Sequence, residues 1–199
     1  MILNHIWGLY THPKKEWHDI EKRHESLIYS LIHTLIVALI PAICCYYATA
    51  HIGWTIGSGE PIKLSNQSAQ IMAVSMYFAL AFGVFTLGFL IQWMAKTFDS
   101  KPDYIQSLEL ATYTATPLIM VGVTALFPVL WFVALSMISA MIYSIYLLYS
   151  GVPIMMNIPE EKGFIYASSV VTCGLVLLVS LMAITAMMWT TGFGPEFVN

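Results

Sequence analysis

The sequence predicts an all-α, polytopic membrane protein: a bundle of five transmembrane helices with an N-terminal cytoplasmic interfacial helix. Two observations predict this class. Hydrophobic residues make up 58% of the 199 residues and charged residues only 10%, whereas soluble domains carry about 25% charged residues. The apolar residues also form five runs, each near the roughly 20 residues that a spanning helix needs. A soluble domain of this size could not bury so much apolar surface.

The five apolar runs are the predicted spans, and none shows the alternation typical of a membrane β-strand. They cover residues 27–50, 69–95, 107–126, 129–149 and 165–189. The segment 1–26 precedes this transmembrane domain of residues 27–189, and residues 190–199 follow it as a short external tail. Because the first run is too long for a signal-peptide core and follows a polar segment, we expect it to remain as an uncleaved anchor.

The positive charges predict the orientation. Seven of the eight Lys and Arg residues lie in segment 1–26, in the loop after the second span and in the loop after the fourth. The opposite side has only Lys63, in the loop 51–68. Cytoplasmic loops carry the excess of Lys and Arg, so we expect a cytoplasmic N-terminus and an external C-terminus. The turn at Phe127-Pro128 is so short that the third and fourth spans must be antiparallel neighbours.

Residues 12–26 are predicted to form an amphipathic helix at the membrane surface. Pro13 suits its first turn. Its apolar-leaning stripe comprises Trp17, Ile20, His24 and Leu27. Its basic residues, which can meet anionic headgroups, are Lys14, Lys15, Lys22 and Arg23. The alternative interpretation is a helix that docks on a partner protein.

Glu109 is the most informative residue, because ionisable groups within a span are costly and mark functional sites. It shares a helix face with Thr112 and Thr116, and Tyr113 lies beside them. His33 lies about two turns into the first span. This polar set is a candidate proton or cation site. If the third span starts near Ser107, however, Glu109 is an ordinary first-turn acid that the helix dipole favours. If it starts earlier, near Lys101-Pro102-Asp103, Glu109 lies deeper, about two turns into the helix.

Prolines and small residues complete the picture of the spans. Pro41 and Pro117 are expected to kink the first and third spans, and Pro117 frees the carbonyl of Tyr113 from its helical bond. Small residues recur at four-residue spacing, which lets helices approach closely inside one bundle or between copies. They are Ala79 and Gly83 in the second span and Ser136, Ala140 and Ser144 in the fourth.

Other chemistries find little support in the sequence. The net charge of −3 does not favour nucleic acid as a partner, and the chain contains no P-loop, HExxH or GxSxG motif. No cofactor is therefore expected. A surface metal site at His18, Glu21 and Glu25 is conceivable from their helical spacing, although such residues are ordinary at a solvated interface. The three cysteines have neither metal spacing nor a clear disulfide partner.

Several short motifs resemble those of the Yip family of five-span membrane proteins, in its bacterial inner-membrane branch. They are Ile6-Trp7-Gly8-Leu9-Tyr10, His12-Pro13 with Trp17, Ile52-Gly53-Trp54, Tyr113-Thr114-Ala115-Thr116-Pro117-Leu118, Tyr146-Leu147-Leu148-Tyr149-Ser150-Gly151-Val152-Pro153 and Asn157-Ile158. The resemblance implies five spans and a cytoplasmic N-terminus, and it implies no catalytic or ligand residues. Eukaryotic members interact with Rab GTPases through a longer N-terminal region, so we do not expect that partner here.

Together these observations favour a non-enzymatic scaffold or membrane-organising protein of the bacterial inner membrane. Its expected partners are the lipid bilayer and either further copies of itself or other membrane proteins. The alternative is a small oligomeric transporter or channel for protons, cations or metal ions, with its polar site around Glu109.

Overall fold

The computed structural model describes residues 2–23, 26–55 and 59–198, and of residues 2–6 and 193 it describes the backbone alone. The helices are α1 (Ile2–Thr11), α2 (Pro13–Arg23), α3 (Leu27–Tyr47), α4 (Asn66–Ala95), α5 (Tyr104–Met120), α6 (Leu130–Met155) and α7 (Glu160–Met188). Two short strands, β1 (Lys63–Leu64) and β2 (Phe197–Val198), pair with each other.

Five of the described helices are long and apolar enough to cross a membrane, which confirms the predicted all-α bundle of five spans. With the short turns that continue them, these spans are Leu27–Ile52, Asn66–Phe98, Tyr104–Leu126, Leu130–Met155 and Glu160–Gly192. Each corresponds to a predicted apolar run. Helical hydrogen bonding satisfies the backbone within the segment, so the helices also continue into the polar residues at the ends of the runs.

Helix α5 lies at the centre of the bundle. It packs against α3, α4 and α6, and 61% of its most apolar stretch is buried, against 6% for α7. Gly88 allows α4 to approach closely, because a Cβ there would lie 3.1 Å from the Cα of Leu108. The polar residues of α5 therefore face protein and not lipid.

Pro41 lies inside α3 and Pro117 inside α5, which are the first and third spans. One turn after Pro117, α5 gives way to the 3-10 segment Val121–Leu126. Pro41 packs against this segment, since a Cβ on Gly122 would lie 2.4 Å from the Cβ of Pro41. The two proline-bearing helices thus approach closely towards the ends of their spans.

Helix α6 continues beyond the apolar run of residues 129–149. Pro153 is accommodated in its last turn, and the helix ends at Met155. Pro153 also lies against α7, because a Cβ on Gly163 would be 2.6 Å from its Cγ. The connection between α6 and α7 is therefore a short turn, much shorter than the loop of residues 150–164 that the sequence suggests.

A small sheet covers the end of the bundle opposite Lys96, Lys101 and Lys162. β1 pairs antiparallel with β2, which joins the tail to the loop between α3 and α4. Isolated bridges extend this pairing between Trp54 and Ile62 and between Thr55 and Val129. The loop after α3 turns at Gly53, whose φ of 93° suits glycine. Residues distant in sequence thus meet at this end.

Helices α1 and α2 pack on the side of the bundle. Trp17 and Ile20, expected on a membrane-facing stripe, are buried, and α2 packs against α6. Protein, not lipid, covers this part of the stripe. His24 lies outside the described residues, and Leu27 is partly exposed at the start of α3.

Asp99 and Lys162 join the two turns at the end that bears Lys96 and Lys101. Asp99 ends the turn after α4 in a left-handed conformation, and the Nζ of Lys162 donates to its Oδ2 at 2.6 Å. The Oγ of Ser100 donates to the carbonyl of Met156 at 2.8 Å. These bonds join the turn after α4 to the first turn of α7 and to the turn that precedes it.

The Lys162 ammonium lowers the pKa of the Asp99 carboxyl by its hydrogen bond and its charge. The pair therefore contributes stability above the ordinary carboxyl pKa of 3.8, and this contribution is lost as pH falls through the lowered value. We expect an NMR titration to give an Asp99 midpoint below 3.8 in the natural protein and near 3.8 in Lys162→Gln. Lys63→Gln is the control, and equal midpoints in the natural protein and Lys162→Gln would contradict the expectation.

A buried polar cluster between α3 and α5 as the candidate functional site

The five residues of the predicted intramembrane site are all buried. Glu109, which lies within a predicted span, is 1% exposed. The other four are His33 on α3 and Thr112, Tyr113 and Thr116 on α5. Because α3 and α5 pack against each other, the structure places these residues in the same interhelical region, which we call the polar cluster.

Threonine hydroxyls connect the two helices of the polar cluster. The Oγ1 of Thr34 donates to the carbonyl of Ser30 at 2.9 Å, and it lies 2.9 Å from the Oγ1 of Thr112. Since each hydroxyl has one proton, Thr112 is the donor to Thr34. Thr116 in turn donates to the carbonyl of Thr112 at 2.8 Å. An ordered series of hydrogen bonds therefore joins α3 to α5 inside the apolar bundle.

Aromatic rings extend the polar cluster towards α2. The rings of His33 and Tyr113 meet edge to face with centroids 5.0 Å apart. Tyr113 meets the indole of Trp17 in the same way at 6.4 Å. Trp17 also donates its Nε1 hydrogen to the Oγ of Ser150 at 3.2 Å. Residues from α2, α3, α5 and α6 thus surround one buried site.

Glu109 is not a first-turn acid. α5 begins at Tyr104 and has a capping box formed by Asp103 and Gln106, so Glu109 is the sixth residue of the helix, about 8 Å along its axis. This is the deeper of the two positions considered from the sequence. Neither Glu109 nor His33 is without an interaction partner, which accords with the high cost of an isolated buried charge.

Helix α2 covers one side of the polar cluster because α6 lacks a side chain at the contact. A Cβ on Gly151 would lie 2.6 Å from the Cε2 of Trp17 and 3.0 Å from the Cδ1 of Leu110. Trp17 is 0% exposed as a result. The indole therefore closes the cluster from its flank.

The other predicted residues lie elsewhere. Ala79, Gly83 and Ser144 line one groove, whereas Ser136 and Ala140 line a second groove with Tyr143. His18 is exposed and Glu21 is half-buried, while Glu25 lies outside the described residues. Within the described part of the chain, no three His, Cys, Asp or Glu side chains are grouped to hold a metal.

Sequence reasoning missed part of the polar cluster. Ser30, Thr34 and Ser107 are buried with the predicted residues, and Trp17 belongs to the cluster instead of the lipid interface. One signal was available: Ser30, Thr34 and Val37 recur on the same face of α3 as His33. Periodicity alone does not say which helix this face meets.

Comparison with known proteins assigns the family. Residues 7–181 match the Yip1 domain. The chain belongs to the Yip1 domain family. It is similar to the inner membrane protein YohC of Escherichia coli strain K12 and to that of Escherichia coli O6:H1 strain CFT073, with 36% identity over 192 residues in each case. These matches cover 96% of this chain and 98% of each relative. No solved structure matches.

The family assignment confirms the resemblance seen in the short motifs. Every residue of the polar cluster lies within the matched Yip1 domain of residues 7–181. The name of the E. coli relatives places them in the inner membrane and states no activity.

We expect Gly151→Ala to destabilise this Yip1 domain protein, because the new Cβ overlaps Trp17. Overpacking of a well-packed core costs about 1–3 kcal/mol, which should lower the midpoint of thermal unfolding in detergent. Gly174→Ala is the matched control, since a Cβ on Gly174 would lie 4.0 Å from its nearest neighbour, the Cδ1 of Leu87. A Gly151→Ala midpoint no lower than that of the control would show that α2 does not depend on this contact.

Proposed function

We propose that the protein is a non-enzymatic scaffold or membrane-organising protein of the bacterial inner membrane that acts through helix–helix association. One observation carries the proposal: a groove of about 250 Å³ on the outside of the bundle, with walls from α4, α6 and α7. Its floor is α5 at Thr114, Ala115 and Leu118. The polar cluster lies apart from it, since neither Glu109 nor His33 lines this groove.

The lining of the groove suits another transmembrane helix. Ala79 and Gly83 on α4 and Gly174 on α7 leave room along its walls. A Cβ on Gly83 would meet nothing closer than 3.9 Å, so this space is open. Small residues permit the close approach that drives helix association in lipid, where the hydrophobic effect between helices is absent.

The occupant that we propose is a second copy of this chain. Helix α7 is the least buried of the five spans, and apolar side chains such as Val179 and Met182 stand exposed on its second half. These exposed side chains of α7 form a ridge, so one molecule presents both this ridge and the groove. A two-fold axis allows each copy to insert its ridge into the groove of the other, which closes the assembly as a dimer.

The proposed placement in the membrane follows the charges. Segment 1–26 is cytoplasmic, residues 27–189 span the bilayer, and the tail 190–199 is external. Lys96, Lys101 and Lys162 lie at one end of the bundle, and cytoplasmic loops are rich in such residues. The helix pair α1 and α2 then lies in the inner-leaflet interface, where the exposed rings of Trp7 and Tyr10 suit lipid contact.

We expect the natural protein to dimerise in nanodiscs or bicelles and Gly83→Leu to weaken the dimer about tenfold or more, because the added side chain fills the groove. A tenfold loss corresponds to about 1.4 kcal/mol. Fluorescence energy transfer between labelled copies, diluted with lipid, measures the dissociation constant. Ser139→Leu introduces the same side chain at an exposed position of α6 outside this groove and should leave the dimer unchanged. A monomeric natural protein, or equal effects of the two variants, overturns the proposal.

A second function has its own supporting observation. Glu109 and His33 are both 1% exposed and share their region with threonine hydroxyls, as a proton or cation pathway would require. A transporter in which these groups exchange protons with a moving substrate is therefore the alternative.

Flux measurements in liposomes separate the two functions. With protons, K⁺ and Zn²⁺ as probes, we expect the natural protein to add no flux to that of empty vesicles, because the cluster is buried and Trp17 packs against its Tyr113. A saturating flux that Glu109→Gln abolishes would replace the scaffold by a transporter. Glu160→Gln, which changes an exposed acid of α7, is the control for the loss of one charge.

A further inference from the structure

We propose that a pocket beside the end of α4 binds the phosphate group of an anionic phospholipid. The pocket has a volume of about 330 Å³. Its lining includes Phe89, Gln92, Trp93, Lys96, Ser100 and Lys101. It is separate from the polar cluster and from the groove proposed for the dimer, so this inference does not depend on the proposed function.

The charge of the pocket is positive because its two lysines are available. Lys96 and Lys101 are exposed and border the same pocket from the two sides of the turn after α4. The acids of this turn are engaged elsewhere. Asp99 binds Lys162 at 2.6 Å, and Asp103 forms the capping box of α5 with Gln106. No carboxylate of the described residues forms an ion pair with either lysine.

The chemistry of this lining matches a phosphate monoanion with its ester oxygens. Two ammonium groups supply charge and as many as six N–H donors, and the amide of Gln92 can add a further donor. Lysine binds phosphate as a point charge and needs no bidentate geometry. The hydroxyl of Ser100 donates to the carbonyl of Met156, so the donors to the phosphate are the two lysines and Gln92.

The neighbouring aromatic residues identify the source of the phosphate as a lipid. Trp93 is 68% exposed and Phe89 is 56% exposed, and they lie one turn apart on α4, directly before the lysines. Exposed tryptophan marks the level of the headgroups, and the phenyl ring lies deeper in the hydrocarbon. A lipid whose phosphate reaches Lys96 and Lys101 therefore lays its acyl chains along Phe89. Basic pockets at the cytoplasmic ends of spans suit anionic headgroups.

Binding of phosphatidylglycerol tests the inference directly. The purified full chain in a neutral detergent is titrated with phosphatidylglycerol or with phosphatidylcholine of the same acyl chains, and native mass spectrometry counts the retained lipids. We expect saturable retention of phosphatidylglycerol, weakened about tenfold or more in Lys96→Gln/Lys101→Gln, because each lysine near an anionic surface contributes to attraction. Lys96→Arg/Lys101→Arg should restore binding.

Controls separate this pocket from general attraction to anionic surfaces. Lys14→Gln/Lys15→Gln removes the same charge from two exposed positions of α2 and should retain the saturable lipid. Trp93→Ala should weaken lipid retention with the lysines intact. The inference is overturned if the two lysine pairs lose binding equally, if Lys96→Gln/Lys101→Gln binds as the natural protein does, or if about 10 mM inorganic phosphate displaces the lipid completely. The last result would identify a soluble anion as the ligand.

Discussion

The bundle depends on one constraint, which is that polar groups inside the spans must form their hydrogen bonds within the protein. The bond between the hydroxyls of Thr34 and Thr112 is an example. The bilayer core offers no water to a polar group, so each one must find its partner within the protein. The sequence places Glu109 and His33 inside its spans. Helix α5, which carries Glu109, lies at the centre of the bundle, where protein surrounds it. The threonine pair then joins α3 to α5 where lipid tails could supply no hydrogen bond.

The position of α2 follows from the same constraint. The polar cluster has an open flank between α3, α5 and α6, and an indole is suited to close it because its ring is apolar and its N–H can donate. Trp17 does this, with its N–H directed to Ser150. Gly151 makes the approach of the ring possible. A segment that composition assigns to the membrane surface thus becomes part of the wall of the bundle.

The sequence was sufficient to predict the features that depend on local properties. Hydropathy located the five spans, and the cost of a charge in lipid made Glu109 the leading residue. The sequence was insufficient to predict features that depend on which surfaces of the protein meet. An apolar stripe with Trp17 suits lipid and protein equally well, so the docking of α2 on α6 was not predictable. The pairing of β1 with β2, and the continuation of α6 through Pro153, likewise depend on distant partners.

The distribution of residues over the surface limits what this protein can recognise. The polar cluster is buried behind Trp17, which leaves an apolar flank around α7 and a basic rim around Lys96. An apolar flank gains no hydrophobic free energy when it exchanges lipid for another apolar helix. Selective contact there requires a complementary shape, which the small residues beside Gly83 provide. A basic rim at headgroup level requires charge in its partner. Both surfaces therefore favour partners that reside in the membrane, helices for the one and anionic lipids for the other.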